Sequence, residues 1–236
     1  KLCSELDIIL IEDCAHTMGA KWKDKKSGNY GNVACFSTQT YKHMNSGEGG
    51  LITTDDPKIA GKAIMLSGSY MLYERHIAGP SLDIFNDIKF ETPNCSARLD
   101  NLRAAILRPQ LSDLDANINR WNERYKIIEN ILRNVKGIRI IERPEGEYFV
   151  GSSFQFHVPG TDLKQIPAFL ESCSKRGVEI KWFGSEEPTA FTSRYDSWKY
   201  FSDIPHLPET LKTLSTTCDM RVPLTFTEPD CQIIAE

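Results

Sequence analysis

The strongest constraint on the fold is a run of four apolar residues, Ile8-Ile9-Leu10-Ile11, that ends on two acids, Glu12 and Asp13. A branched, unbroken run of this kind predicts a strand of a parallel sheet, buried on both faces. Such a strand needs neighbours on either side. Residues 1–6 read only as the end of a helix, so the expectation is that the sequence opens inside a larger domain. The acids matter more. At the carboxyl end of a buried strand they lie where open α/β sheets bind their ligands.

The rest of the chain reads as alternating elements. A small-residue loop at 28–31 leads to a strand at 33–37, and Gly47-Glu48-Gly49-Gly50 precedes a strand at 51–54. Pro57 opens a helix to residue 66, with Asp55 or Asp56 as its cap. Residues 68–95, rich in Gly, Pro, Tyr and Asn, read as an irregular segment too long to be only a connector. Two helices are expected next, at 98–111 and 112–135. In the second, Leu114, Ile118, Trp121, Tyr125, Ile128 and Leu132 recur at steps of three and four, which marks one buried stripe. Beyond Gly137 come strands at 138–141, 152–158, 178–183 and 220–223, with helices at 162–176, 209–217 and from 227 onward. The predicted fold is α/β: a large domain with a mostly parallel sheet over 1–111, a linking helix at 112–135, and a small α+β domain over 136–236.

Composition excludes several function classes. The net charge of −4, without a block of like charges, argues against a nucleic-acid or anionic-membrane surface. No stretch is apolar for long enough to span a bilayer. The 7 cysteines are scattered and lack a C-x-x-C pair, which favours a reducing, cytoplasmic setting and offers no metal site.

Taken singly, the polar residues are ambiguous. Asp13 suits a ligand or a helix cap. Lys42, in the polar stretch from Ser37 to Ser46, reads alone as a solvated surface group, and His16 and His43 as structural histidines. The glycines at 47, 49 and 50 suit a tight turn.

Their order is more specific. Ile11-Glu12-Asp13-Cys14-Ala15-His16-Thr17-Met18-Gly19 is followed by Gly31-Asn32-Val33-Ala34-Cys35-Phe36-Ser37, then Lys42, then Gly47-Glu48-Gly49-Gly50. This series resembles the DegT/StrS family of sugar aminotransferases, fold-type-I enzymes that use pyridoxal 5'-phosphate (PLP). The resemblance extends to Arg98-Leu99-Asp100-Asn101-Leu102-Arg103-Ala104-Ala105 and to Val222-Pro223-Leu224, and is weakest over 140–215.

The resemblance implies roles residue by residue. Lys42 would form the Schiff base and shuttle a proton, and Asp13 would hold the pyridine nitrogen protonated. His16 would contact the cofactor near its O3′, and Ser37 would bind its phosphate. Ser96 and Arg98 stand where the family carries Asn-x-Arg, the asparagine of which reaches the partner subunit's cofactor; Asn94 lies close by. A homodimer with composite sites follows. The implied reaction is ping-pong, from an amino acid donor such as glutamate to a keto-sugar acceptor, nucleotide-linked. Two other readings stay open: a PLP-dependent sugar dehydratase, in which family members carry histidine at the place of Lys42, and a non-catalytic interaction module. Lys181, Trp182, Phe183, Arg194 and Tyr195 read either as substrate-facing or as core of the small domain.

Overall fold

A computed structural model of the chain describes residues 1–68, 71–187, 194–200 and 202–236. In chain order the elements begin with α1 (Leu2–Glu5), β1 (Ile11–Asp13), β2 (Lys21–Trp22), β3 (Lys25–Lys26), β4 (Val33–Ser37) and β5 (Gly50–Thr54). Next come α2 (Pro57–Leu66), α3 (Leu82–Ile88), α4 (Asn101–Leu132), β6 (Arg139–Ile140), β7 (Glu147–Tyr148) and β8 (Ser153–His157). The last are α5 (Ile166–Ser174), β9 (Lys181–Trp182), α6 (Pro208–Leu214), β10 (Thr217–Arg221) and α7 (Glu228–Ala235). They form two compact units, Lys1–Ala116 with Gly146–Val150 and Asn117–Glu145 with Gly151–Glu236.

This division differs from the one expected from sequence in two places. It falls within α4, not at residue 111 or 135, because the two predicted helices are one. Pro109 lies inside α4. A proline deletes one helical hydrogen bond, and buried Leu107 and Leu114 on either side hold the helix through it. The chain also returns to the first unit at residues 146–150, where β7 pairs with β2 and Lys23 N–H donates to the Gly146 carbonyl at 2.5 Å.

In the first unit β1 and β4 run parallel, with Ile11 opposite Val33 and Asp13 opposite Cys35. β5 joins β4 antiparallel, Ser37 opposite Gly50. The expectation of a mostly parallel sheet is therefore corrected among the described residues: one pair is parallel and one antiparallel. Residues 38–49 double back as a loop, and without a crossover helix the next strand returns antiparallel. The predicted strand at 8–11 is also displaced. β1 begins at Ile11, because the Leu10 N–H donates to Asn32 Oδ1 and its carbonyl accepts the Asn32 N–H, which closes the turn before β4. Among the described residues the strand order is β1-β4-β5, and Ile9 and Ile11 are 69% and 65% exposed.

α2 forms as read. Asp56 caps it by accepting the N–H groups of Lys58 and Ile59. The segment expected to be irregular instead contains α3, whose Phe85 and Ile88 pack with Met65 and Tyr73 in a buried cluster. The Tyr73 and Phe85 rings stack at 4.3 Å. Gly61 permits this approach, since a Cβ there would lie 2.9 Å from Ile88 Cδ1.

The second unit is built on an antiparallel sheet of order β6-β8-β10-β9. Phe154, Phe156, Cys218 and Met220 are buried on one face of it. Tyr125, from the predicted stripe of α4, meets Phe154 at 4.8 Å between ring centroids. β10 starts earlier than read, at Thr217, because the branched pair Thr216-Thr217 meets His157 of β8. Thr227 and Asp230 form a capping box on α7. Among the described residues no helix is long and apolar enough to cross a membrane.

Candidate active site

The site grows from the carboxyl ends of β1 and β4. Ile11, Asp13, Val33, Cys35 and Ser37 share one face of the sheet, because residues two apart on a strand point the same way and register partners face together. Asp13 and Ser37 are thus neighbours on that face, one near the end of each parallel strand. Asp13 Oδ1 accepts the Ala15 N–H at 3.0 Å, which turns the chain out of the strand. The turn is held from below. Buried Cys14 donates its N–H to the Cys35 carbonyl, and its thiol and the Thr17 hydroxyl both meet Ser27 Oγ.

Glu12, one residue earlier, faces the opposite way. Its carboxylate accepts the N–H groups of Gly28, Tyr30 and Gly31 at 2.9, 2.6 and 2.6 Å. Burial pushes its pKa up, but the three N–H groups and the charge of Lys25 outweigh burial, and the carboxyl titrates below its ordinary value. The sequence placed Glu12 with Asp13 at the ligand-binding end of the strand. The structure makes it the tie that pins the 28–31 loop to β1.

The fixed turn delivers His16 to Lys42. Lys42 Nζ lies 2.8 Å from His16 Nε2. Two nitrogens at this distance share one proton between them, so one of the two must offer a lone pair. The bonded pair therefore carries at most one positive charge.

Lys42 sits in a loop whose base is laced by backbone bonds: Thr38 N–H to the Gly49 carbonyl, Thr40 N–H to the Gly47 carbonyl, and Ser46 N–H to the Thr38 carbonyl. The glycines behave as read. Gly49 has φ +129, and a Cβ there would stand 2.7 Å from Leu99 Cδ1; at Gly50 one would stand 2.7 Å from the Phe36 carbonyl oxygen. Ser37 Oγ accepts the Gln39 N–H at 3.3 Å, a bond that leaves its hydroxyl hydrogen to donate elsewhere.

Ser96 and Arg98 lie at the end of α2. Ser96, at φ 51, donates its N–H to Asn94 Oδ1, and the Cys95 and Ala97 N–H groups both reach the Leu66 carbonyl. The Arg98 guanidinium lies over Gly68, 3.3 Å from where a Cβ would be. In the second unit the Trp182 indole donates to the Ser215 carbonyl at 2.8 Å, and Gly184 packs against the indole. Trp182 and Arg194 line a cleft of about 390 Å³ with Leu163, Lys164, Leu211 and Leu214. Arg194 is paired with Asp196, and the Tyr195 hydroxyl accepts the Leu207 N–H. Residues 188–193 of that segment, and 69–70 of the earlier one, lie outside the described residues.

The first unit of this mixed α/β protein thus bonds a lysine to an imidazole and sets a carboxylate and a serine at adjacent strand ends. The chain belongs to the DegT/DnrJ/EryC1/StrS aminotransferase family, whose model matches residues 1–226. It is similar to the L-glutamine:2-deoxy-scyllo-inosose aminotransferase of Streptomyces kanamyceticus, 37% identical over 169 residues that cover 69% of this chain and 39% of that protein. Its fold is similar to Helicobacter pylori PseC, an aminotransferase involved in the biosynthesis of pseudoaminic acid, with TM-score 0.81 and 16% identity over 99% of this chain and 59% of that one. It is also similar in fold to an E. coli GDP-4-keto-6-deoxy-D-mannose-3-dehydratase with bound hydrated PLP, with TM-score 0.76 and 20% identity over 99% of this chain and 61% of that one. The chain spans less than half the length of the curated relatives it matches.

Proposed function

We propose that this chain serves a PLP-dependent aminotransferase that moves an amino group from an amino acid, glutamate in the first instance, to a nucleotide-linked keto-sugar in two half-reactions. The observation that carries the reading is the 2.8 Å approach of Lys42 Nζ to His16 Nε2, three residues beyond Asp13. The residues fit the cofactor: a primary amine bonded to an imidazole, a carboxylate at a strand end, and a serine hydroxyl on the same sheet face. When bound, PLP supplies an aldehyde for primary amines and a ring that draws electrons from the adjoining carbon.

The chain's own groups would divide the work. Lys42 would hold the cofactor covalently and, once displaced by the donor, carry the proton at its Nζ between neighbouring carbons. Asp13 would face the ring nitrogen and keep it protonated. His16 would take or return the proton at Lys42 and orient the amine. Ser37 would donate to the phosphate, and Ser96 and Arg98 would serve a second subunit's site in a homodimer. The dehydratase reading is weighed against this one at a single position, because Lys42 is a lysine with a histidine beside it, not in its place.

Borohydride reduction of the PLP-loaded protein followed by peptide mapping tests the reading. The pyridoxyl label is expected on Lys42 and is lost in Lys42→Ala; label on another lysine overturns the assignment. Glutamate labelled with ¹⁵N then separates the two chemistries. A transaminase passes the isotope into the sugar, and a dehydratase does not. A protein that takes up no PLP at all supports the interaction-module reading.

A further inference from the structure

Among the bonds that shape the Lys42 loop, one set comes from 65 residues away. Asn45 N–H donates to Gln110 Oε1 at 2.9 Å, and Gln110 Nε2 donates to the Asn45 carbonyl at 2.7 Å. A side-chain amide here does what a neighbouring strand would do, pairing with both polar groups of one backbone residue. The second Nε2 hydrogen goes to the Ile106 carbonyl of its own helix at 3.0 Å, so the Gln110 side chain is itself fixed.

The rest of the loop shows why this tie matters. Its base, at residues 38–40 and 46–49, is laced strand to strand. Its outer part, which carries Lys42, is bonded locally to Gln39: the Lys42 N–H to the Gln39 carbonyl and the Tyr41 N–H to Gln39 Oε1. Met44 is buried, and from outside the loop the Gln110 clamp grips Asn45 three residues after Lys42, itself bonded to His16. We infer that Gln110 is a positioning residue for Lys42: by gripping Asn45 from α4 it sets the reach of the loop, and so holds Nζ against His16. The inference rests on the proposed function only for what Lys42 then does, and its test needs no cofactor.

If the clamp positions the loop, its loss loosens the segment around Asn45 and the Lys42–His16 bond is made a smaller part of the time. The test is nuclear magnetic resonance on the cofactor-free chain, with two readouts in Gln110→Leu. The Asn45 amide is expected to exchange with solvent at least tenfold faster than in the parent, while amides in α7 are unchanged. The titration of the His16 ring is expected to move at least halfway towards its position in Lys42→Ala, which lacks the bond outright. A merely structural loss would not move the His16 titration selectively. Arg108→Leu, on the same helix and exposed, is the control and is expected to change neither readout.

Should Gln110→Leu fail to fold, Gln110→Glu is measured in the same way above its carboxyl pKa. It keeps the acceptor for Asn45 N–H but sets a second oxygen against the Asn45 carbonyl, so both readouts are expected to move in the same direction. Asn45 exchange within twofold of the parent overturns the inference, and so does a His16 titration unchanged while Asn45 exchanges freely. If PLP labels another lysine but both readouts move as stated, the proposed function fails and the positioning role stands.

Discussion

Glu12 shows at the scale of one residue how a charged group can shape a site without taking part in its chemistry. Three backbone N–H groups converge on a carboxylate that has lost part of its water, and a charge-assisted bond is worth more than a neutral one. The shift has a sign that can be checked. A carboxyl with a folded pKa below its ordinary 4.5 contributes stability above that value, and loses it as the pH falls through the folded pKa. Urea unfolding between pH 6 and pH 3 is therefore expected to show a loss in the parent, beginning below about 4.5, that is shallower in Glu12→Gln. At neutral pH the same substitution is expected to cost about 1 kcal/mol, the difference between a charged and a neutral acceptor.

α3 is the instructive case at the scale of elements. Its local sequence, Leu-Asp-Ile-Phe-Asn-Asp-Ile, is short and acidic, and its flanks are rich in glycine and proline, so no pattern sets it apart from a loop. What makes it a helix is the surface it finds. Phe85 is 1% exposed, stacked on Tyr73 and packed over the close approach that Gly61 allows. Phe85→Ala is expected to cost about 3–5 kcal/mol, since removal of a buried ring leaves a cavity that its neighbours only partly fill. Denaturant unfolding followed by a probe in the first unit measures it; a loss under 1 kcal/mol would mean that the cluster does not hold α3 to α2.

At the scale of the whole molecule the open question is the assembly. If Arg98 serves a second subunit, two inactive variants can complement each other. In a dimer of Lys42→Ala with Arg98→Ala, one site carries both changes and the other carries neither, so activity is expected to return to about half the parent's per mixed dimer. If subunit exchange is verified and no activity returns, Arg98 does not act across an interface. Monomers in sedimentation at working concentrations would remove the composite site entirely.

The legible and illegible parts of this protein divide by distance along the chain. β4, the Asp56 cap with Pro57 behind it, the buried stripe of α4 and the spacing from Ser37 to Lys42 to the glycine turn were readable because each is set by neighbouring residues. Strand alternation, helix period and backbone freedom act over a few bonds. The direction of β5, the helix through Pro109, and the meetings of His16 with Lys42 and Gln110 with Asn45 were not readable. They depend on which segments the folded chain brings side by side. A hydrogen bond between residues 65 apart leaves no period in the sequence.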